Sequence, residues 1–339
     1  MGRTLRRVAA SSLLVALVGA ITLGQAAPAS ALTDGQRAAR AIGYLATKQR
    51  ANGSIPAFST IGSTADAVLA VVAAGTGRDV MRGAISFLRD RVATGKVTTI
   101  GLRAKVAIAV AAAGGDAHDF GHHDLIRQIR ATIGSDGHFG TASVFDQSLA
   151  ILAIEAAGNT PRGVAVGWLE GAQCPDGGWA FDAPYHPVSD DADCRSTSDP
   201  ADDFFPADSN TTSYAVQAIE AFDPATRFPA SPFGFFRSIH DDVHGGWPYT
   251  GDFPVTDANS TALVLSAYVA AGRRVPPGGL AALRALQYRG CGAFAYTWNG
   301  DTIGPPDVGA TIGAVPGLRR RAIPFTGNVV GSAPTVPAC

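Results

Sequence analysis

Six times along the chain a residue able to cap a helix is followed by an apolar, alanine-rich run, beginning at Thr60, Thr99, Ser143, Asp208, Asp257 and Asp307. Thr, Ser and Asp side chains accept a hydrogen bond from the exposed N–H groups of a first helical turn, so each start reads as an N-cap. Two copies nearly coincide: DSNTTSYAVQAIEA from Asp208 and DANSTALVLSAYVA from Asp257. Five runs end near Ala-Gly or Ala-Phe, where a helix stops at a residue tolerant of left-handed geometry, and DVGATIGAVPGL is the poorest copy. Such self-similarity marks a repeat architecture and constrains the fold more than any other feature.

Between these runs lie six further helical patterns, at 33–49, 78–93, 118–133, 161–173, 232–239 and 277–287. They carry the charge, as with Arg82, Arg89, Asp90 and Arg91, at spacings that leave one solvated face, and the pair His122-His123 is expected on the exposed side of the third. The capped runs are apolar on every side and therefore buried. Six exposed helices alternating with six buried ones predict an all-α fold, an (α/α)6 toroid with the buried set inside. An open solenoid would need polar end caps, which the sequence does not offer.

The first residues have a different character. Arg3, Arg6 and Arg7 precede an apolar stretch from Val8 to Leu23, and Ala29-Ser30-Ala31 is a small-residue cleavage site. This reads as a secretory signal peptide over 1–31, with a mature toroid domain over 32–339 and no membrane segment left after cleavage. Residues 318–339 read as a C-terminal tail. Removing those three Arg from 27 basic residues leaves 24 against 28 acidic ones, a balance that argues against nucleic acid or an anionic membrane as partner.

In an exported chain four cysteines are read as two disulfides. Of the three possible pairings, Cys174 with Cys194 and Cys291 with Cys339 are favoured: the first closes a long link, the second staples the tail. That long link, an insertion at 174–208, is acidic, with eight Asp and one Arg from Asp182 to Asp208. Clustered carboxylates are the hard oxygen ligands that Ca²⁺ prefers, so a Ca²⁺ site stands as an expectation beside a solvated, disulfide-pinned insertion. No other cofactor or metal site is expected.

The links from outer to inner runs repeat as well: QRANGSI from Gln49, GSDGHFG from Gly134, QCPDGGWAF from Gln173, VHGGWPY from Val243 and QYRGCGAFAY from Gln287. These segments resemble the Gln-Trp repeats of the squalene-hopene cyclase and protein prenyltransferase superfamily, the copy with Gln173, Asp176, Gly177 and Trp179 most closely. The resemblance implies an α/α toroid in which each Gln caps an outer helix and stacks on the Trp. Class II cyclases of this superfamily carry Asp-x-Asp-Asp-Thr at an inner-helix start, the middle Asp being the proton donor. Here Asn210 and Asn259 stand at that place, and an amide is no strong acid. The zinc site of the prenyltransferases is not reproduced. A weaker resemblance, carried by DANSTALVLSAY, is to the α-domain of cobalamin-transport proteins.

Because each link runs straight into an N-cap, the links and inner-helix starts gather at one end of the ring. That mouth is expected to hold Asp146, Gln147, Asp208, Asn210, Thr212, Asp257, Asn259, Thr261, Asp307 and Thr311, with Trp179, Phe181, Trp247, Tyr249 and Trp298. A polar mouth over an apolar lumen suits a small molecule, and these are the candidate ligand-binding residues. Local capping explains the Asp residues equally well. The alternative function is enzymatic, a terpene cyclase-like or glycan-active (α/α)6 enzyme. With only Glu155, Glu170 and Glu220 in the chain, and none at the mouth, its acids would have to be Asp146, Asp208, Asp257 or Asp307.

Overall fold

In the computed structural model of the chain, residues 32–181, 206–225 and 227–339 are described. The expected signal peptide and most of the acidic insertion, with Cys194, lie outside them. Twelve helices alternate between two concentric layers among these residues. The inner six are α2 (Thr60–Ala74), α4 (Ile100–Ala112), α6 (Val144–Ala156), α8 (Ser209–Phe222), α10 (Ala258–Ala270) and α12 (Val308–Leu318). The outer six are α1 (Asp34–Lys48), α3 (Arg78–Ala93), α5 (Leu125–Arg130), α7 (Gly163–Gly171), α9 (Pro232–Ser238) and α11 (Pro277–Ala285). Each inner helix packs on the next, and α12 returns to α2, so the residues form the all-α (α/α)6 toroid.

Five of the six expected N-caps accept from the N–H three residues on: Thr99, Ser143, Asp208, Asp257 and Asp307. In the first copy the cap is Ser59 and Thr60 is already helical, because the Ser59 hydroxyl reaches the Gly62 N–H. The third outer helix is much shorter than the 118–133 pattern. Gly121 and His122 both take positive φ, Phe120 pairs with His123 across that turn, and Asp124 starts the helix afresh. His122-His123 is therefore part of a turn and not of a helix face.

The links lock the two layers together by one recurring set of bonds. A side chain in the second turn of each of five inner helices accepts from a link N–H: Thr64 from Ile55, Gln147 from Phe139, Thr212 from Trp179, Thr261 from Trp247 and Thr311 from Phe294, at 2.8–3.0 Å. A glutamine amide at an outer-helix end then donates to its own link and to the neighbouring outer segment. Gln49 bonds Gly53 and Val80, Gln173 bonds Gly177 and Ala230, and Gln287 bonds Gly292 and Arg37. The last of these joins α11 to α1 and closes the outer ring, beside the Arg284–Asp34 ion pair at 2.7 Å. The GSDGHFG link has no glutamine at its outer-helix end. There Gln147 of α6 does both tasks from the inner layer, donating at 3.0 Å to Gly137 and to Ala165 of α7.

The tail beyond α12 returns across the opposite end of the ring from the mouth. Ile323 is buried and its N–H donates to Gln217 of α8 at 2.9 Å. Further on, Arg78 holds the carbonyl of Val329, and a disulfide joins Cys339 to Cys291 with Cα atoms 5.1 Å apart. No helix among the described residues is long and apolar enough to cross a membrane.

Candidate functional site

The residues expected at the mouth divide by what their side chains already hold. Asp208, Asp257 and Asp307 accept from Thr211, Ser260 and Ala310 at 2.6–2.7 Å as caps. Burial outweighs these hydrogen bonds at Asp208 and Asp257 and pushes both carboxyls up to about 6. Gln147, Thr212, Thr261 and Thr311 bind link backbone, as described. Trp179 and Trp247 are fully buried and donate through Nε1 to the carbonyls of Leu169 and Phe236, both at 2.7 Å, fastening link to outer helix. Tyr249 accepts from the Ser209 N–H through its backbone carbonyl, and the Phe181 ring lies 5.7 Å from that of Phe145. Trp298 belongs to a small hairpin and stacks on His244, ring centres 4.7 Å apart. The Asp146 carboxylate lies over Gly101 of α4, where any Cβ would collide with it. Cys174 is buried at the base of the insertion.

Asn210 and Asn259 behave differently. Both are the second residue of their helix, both line a cavity of about 210 Å³ in the lumen, and both bury Oδ1 without a hydrogen-bond partner. The cavity begins beside Phe58 at the mouth and ends at Arg321, Ile323 and Phe325 of the tail. Leu263, Ile312 and Pro316 make one wall apolar. The opposite wall carries charge: Lys105 of α4 reaches Asp66 of α2 at 2.6 Å, both side chains being mostly buried. Burial pulls the Lys105 ammonium down, but Asp66, Tyr214 and Asp146 together raise it well above the ordinary lysine value, so it is a firm cation. Tyr214 of α8 sits against Phe145, ring centres 4.9 Å apart, and burial pushes its hydroxyl up to about 12.

Asp66 and Lys105 were not among the residues expected at the mouth, since they lie a turn or more deeper. A signal for them is present in the sequence. Lys105 is an unexplained cation inside an inner helix otherwise apolar for most of its length, and Asp66 is the matching acid in the preceding inner helix. A charge on a helix buried on every side needs a partner.

No family model and no curated protein matches the chain. Among solved structures, a type II terpene cyclase, MstE, from Scytonema is 13% identical, with 85% of this chain and 98% of that one covered at a TM-score of 0.54. A protein from Actinoplanes is 14% identical, covering 85% and 99% at 0.53, and a glycosidase is 14% identical, covering 85% and 96% at 0.52. The likeness at these identities is one of fold, and it places the chain among α/α toroids.

Proposed function

We infer that the toroid binds a small molecule in its lumen. The observation that supports this best is the set of polar groups opening on the cavity: the Asp66–Lys105 pair, Tyr214, and the amides of Asn210 and Asn259, facing an apolar wall of Leu263, Ile312 and Pro316. A frame made only to hold helices together does not need an ion pair facing an internal space, because desolvating two charges costs several kcal/mol that packed apolar side chains avoid. Cyclase-like or glycan-cleaving chemistry, the alternative, calls for a free acid in the lumen. Among the described residues lining the cavity the one carboxylate is Asp66, and it is paired with Lys105. Export forms part of this reading, and the Cys291–Cys339 disulfide fits an oxidising compartment.

The test is native mass spectrometry of the protein purified from its own host, compared with the mass after denaturation. A retained increment is expected for wild type, and its loss is expected for Leu263→Trp, which fills the lumen, with the far-ultraviolet circular dichroism unchanged. No increment in either protein, or an increment that survives Leu263→Trp, removes the lumen as the binding site.

A further inference from the structure

The polar groups of the lumen are not evenly divided between donors and acceptors. The Asn259 oxygen is buried against α12, where any Cβ on Gly313 would collide with it. Its amide nitrogen is therefore left on the cavity side. Asn210 likewise buries its oxygen and lines the cavity. Tyr214 lines the same space, and its hydroxyl makes no hydrogen bond among the described residues. Lys105 has three ammonium protons, and the Asp66 bond uses one. These four donors, each with capacity to spare, open on one chamber, and the Arg321 guanidinium lines it as well. Among the described residues, the charged side chains lining it are Lys105, Arg321 and Asp66, two cations against one carboxylate. Asp146 acts on Lys105 from over Gly101 and is not part of the lining.

A ligand matching this lining presents acceptors and no donors to the polar wall, carries one negative charge, and has an apolar body for the wall of Leu263, Ile312 and Pro316. We propose that the lumen is a receptor for a small apolar monocarboxylate, its carboxylate held by Lys105 and Tyr214 and oriented by the amides of Asn210 and Asn259. This rests on the lumen being the binding site. Asp66 is then a positioning residue: it keeps Lys105 charged and aimed across the chamber when no ligand is bound. An ammonium ligand would meet four donors and a net positive lining, and a neutral alcohol would leave the excess charge unmatched.

Isothermal titration of the full-length mature protein at neutral pH with octanoate, octanol and octylamine as probes tests the proposal. Octanoate is expected to bind at least about tenfold more tightly than octanol, and octylamine not at all, since hydrogen bonds to a charged carboxylate are stronger than those to a neutral hydroxyl. Tyr214→Phe should weaken octanoate by about tenfold and leave octanol unchanged. Because Lys105→Met alone strands Asp66 and is liable to misfold, the paired variant Asp66→Asn/Lys105→Met is the second arm. It should lose the preference for octanoate over octanol. Equal binding of octanol and octanoate overturns the carboxylate assignment, as does tighter binding of octylamine or failure of all three probes to bind. The lumen reading itself is decided separately, by the mass increment and its loss in Leu263→Trp.

Discussion

Replacing Gln147 by Ala should be among the most damaging single changes to the ring. Gln147 is fully buried and makes three hydrogen bonds, accepting from Phe139 N–H and donating to the carbonyls of Gly137 and Ala165, each at 3.0 Å. Removing it orphans the Phe139 N–H in a buried setting, at a cost of about 2 kcal/mol, and takes one partner from each of two carbonyls, at about 0.5–1 kcal/mol apiece. These come to about 3–4 kcal/mol and the vacated volume adds to them, so the expected loss is at least about 4 kcal/mol. Gln147→Glu should be worse, since it keeps the acceptor but turns a carboxylate toward two carbonyl oxygens. Urea denaturation followed by circular dichroism and by tryptophan fluorescence gives the midpoint and shows whether the two probes coincide. Gln128→Ala, whose side chain is half-buried and among the described residues bonds only His123, serves as the control and should cost about 0.5 kcal/mol or less. A loss below about 1 kcal/mol for Gln147→Ala would show that the link bonds do not hold the layers together.

Two further outcomes follow from groups already described. Asp208 and Asp257 have folded-state values of about 6 against an ordinary 3.8, so they favour the fold fully below pH 3.8, and that contribution is lost as pH rises through about 6. Burial raises Asp241 too, but hydrogen bonds from Thr256 and His244 hold it well below the usual range, so its contribution is lost below about pH 3.8. Melting temperature should therefore peak near pH 4–5 and fall toward pH 7.5, and Asp208→Asn should flatten the fall; a melting temperature still rising from pH 5 to 7.5 contradicts the assignment. Cys339→Ser opens a closure between residues 48 apart in sequence and should cost about 4 kcal/mol on the chain-entropy model, read as an earlier urea midpoint; an unchanged midpoint would mean the tail is held by its hydrogen bonds, such as those of Arg78, Asp79 and Gln217, without the disulfide.

Much of the ring was legible because its signals are local. A cap such as Asp257 needs only its own first turn, and an outer face such as that of α3 needs only its own periodicity. The lumen was less legible because it is assembled from helices distant in sequence. Asp66 and Lys105 lie on different helices and meet only when the layers close, and Ile323 reaches Gln217 across 106 residues. Within the mouth, sequence reasoning could gather Thr212, Thr261 and Thr311 but could not tell side chains turned toward the links from those, like Asn210 and Asn259, that line the lumen. That distinction depends on helix rotation, which single-sequence patterns fix poorly when all faces are apolar. The shortened α5 escaped because the turn at Gly121-His122 interrupts a stretch whose composition still reads as helical.

The bond from Gln287 to Arg37 is chemically the same as those joining neighbouring outer segments elsewhere in the ring. In an open stack of repeats the two end units have one neighbour each and fray first. Here α1 has α11 on one side and α3 on the other, so the stack has no end from which to peel. Loosening any one repeat breaks two interfaces at once, which makes the whole circle a more cooperative unit than its small, weakly helical outer segments would be in a row. The same closure joins residues 250 apart in sequence, so assembly must meet a large loop-closure cost before the last bonds reward it. A ring of this kind trades a slow start for the absence of a weakest edge.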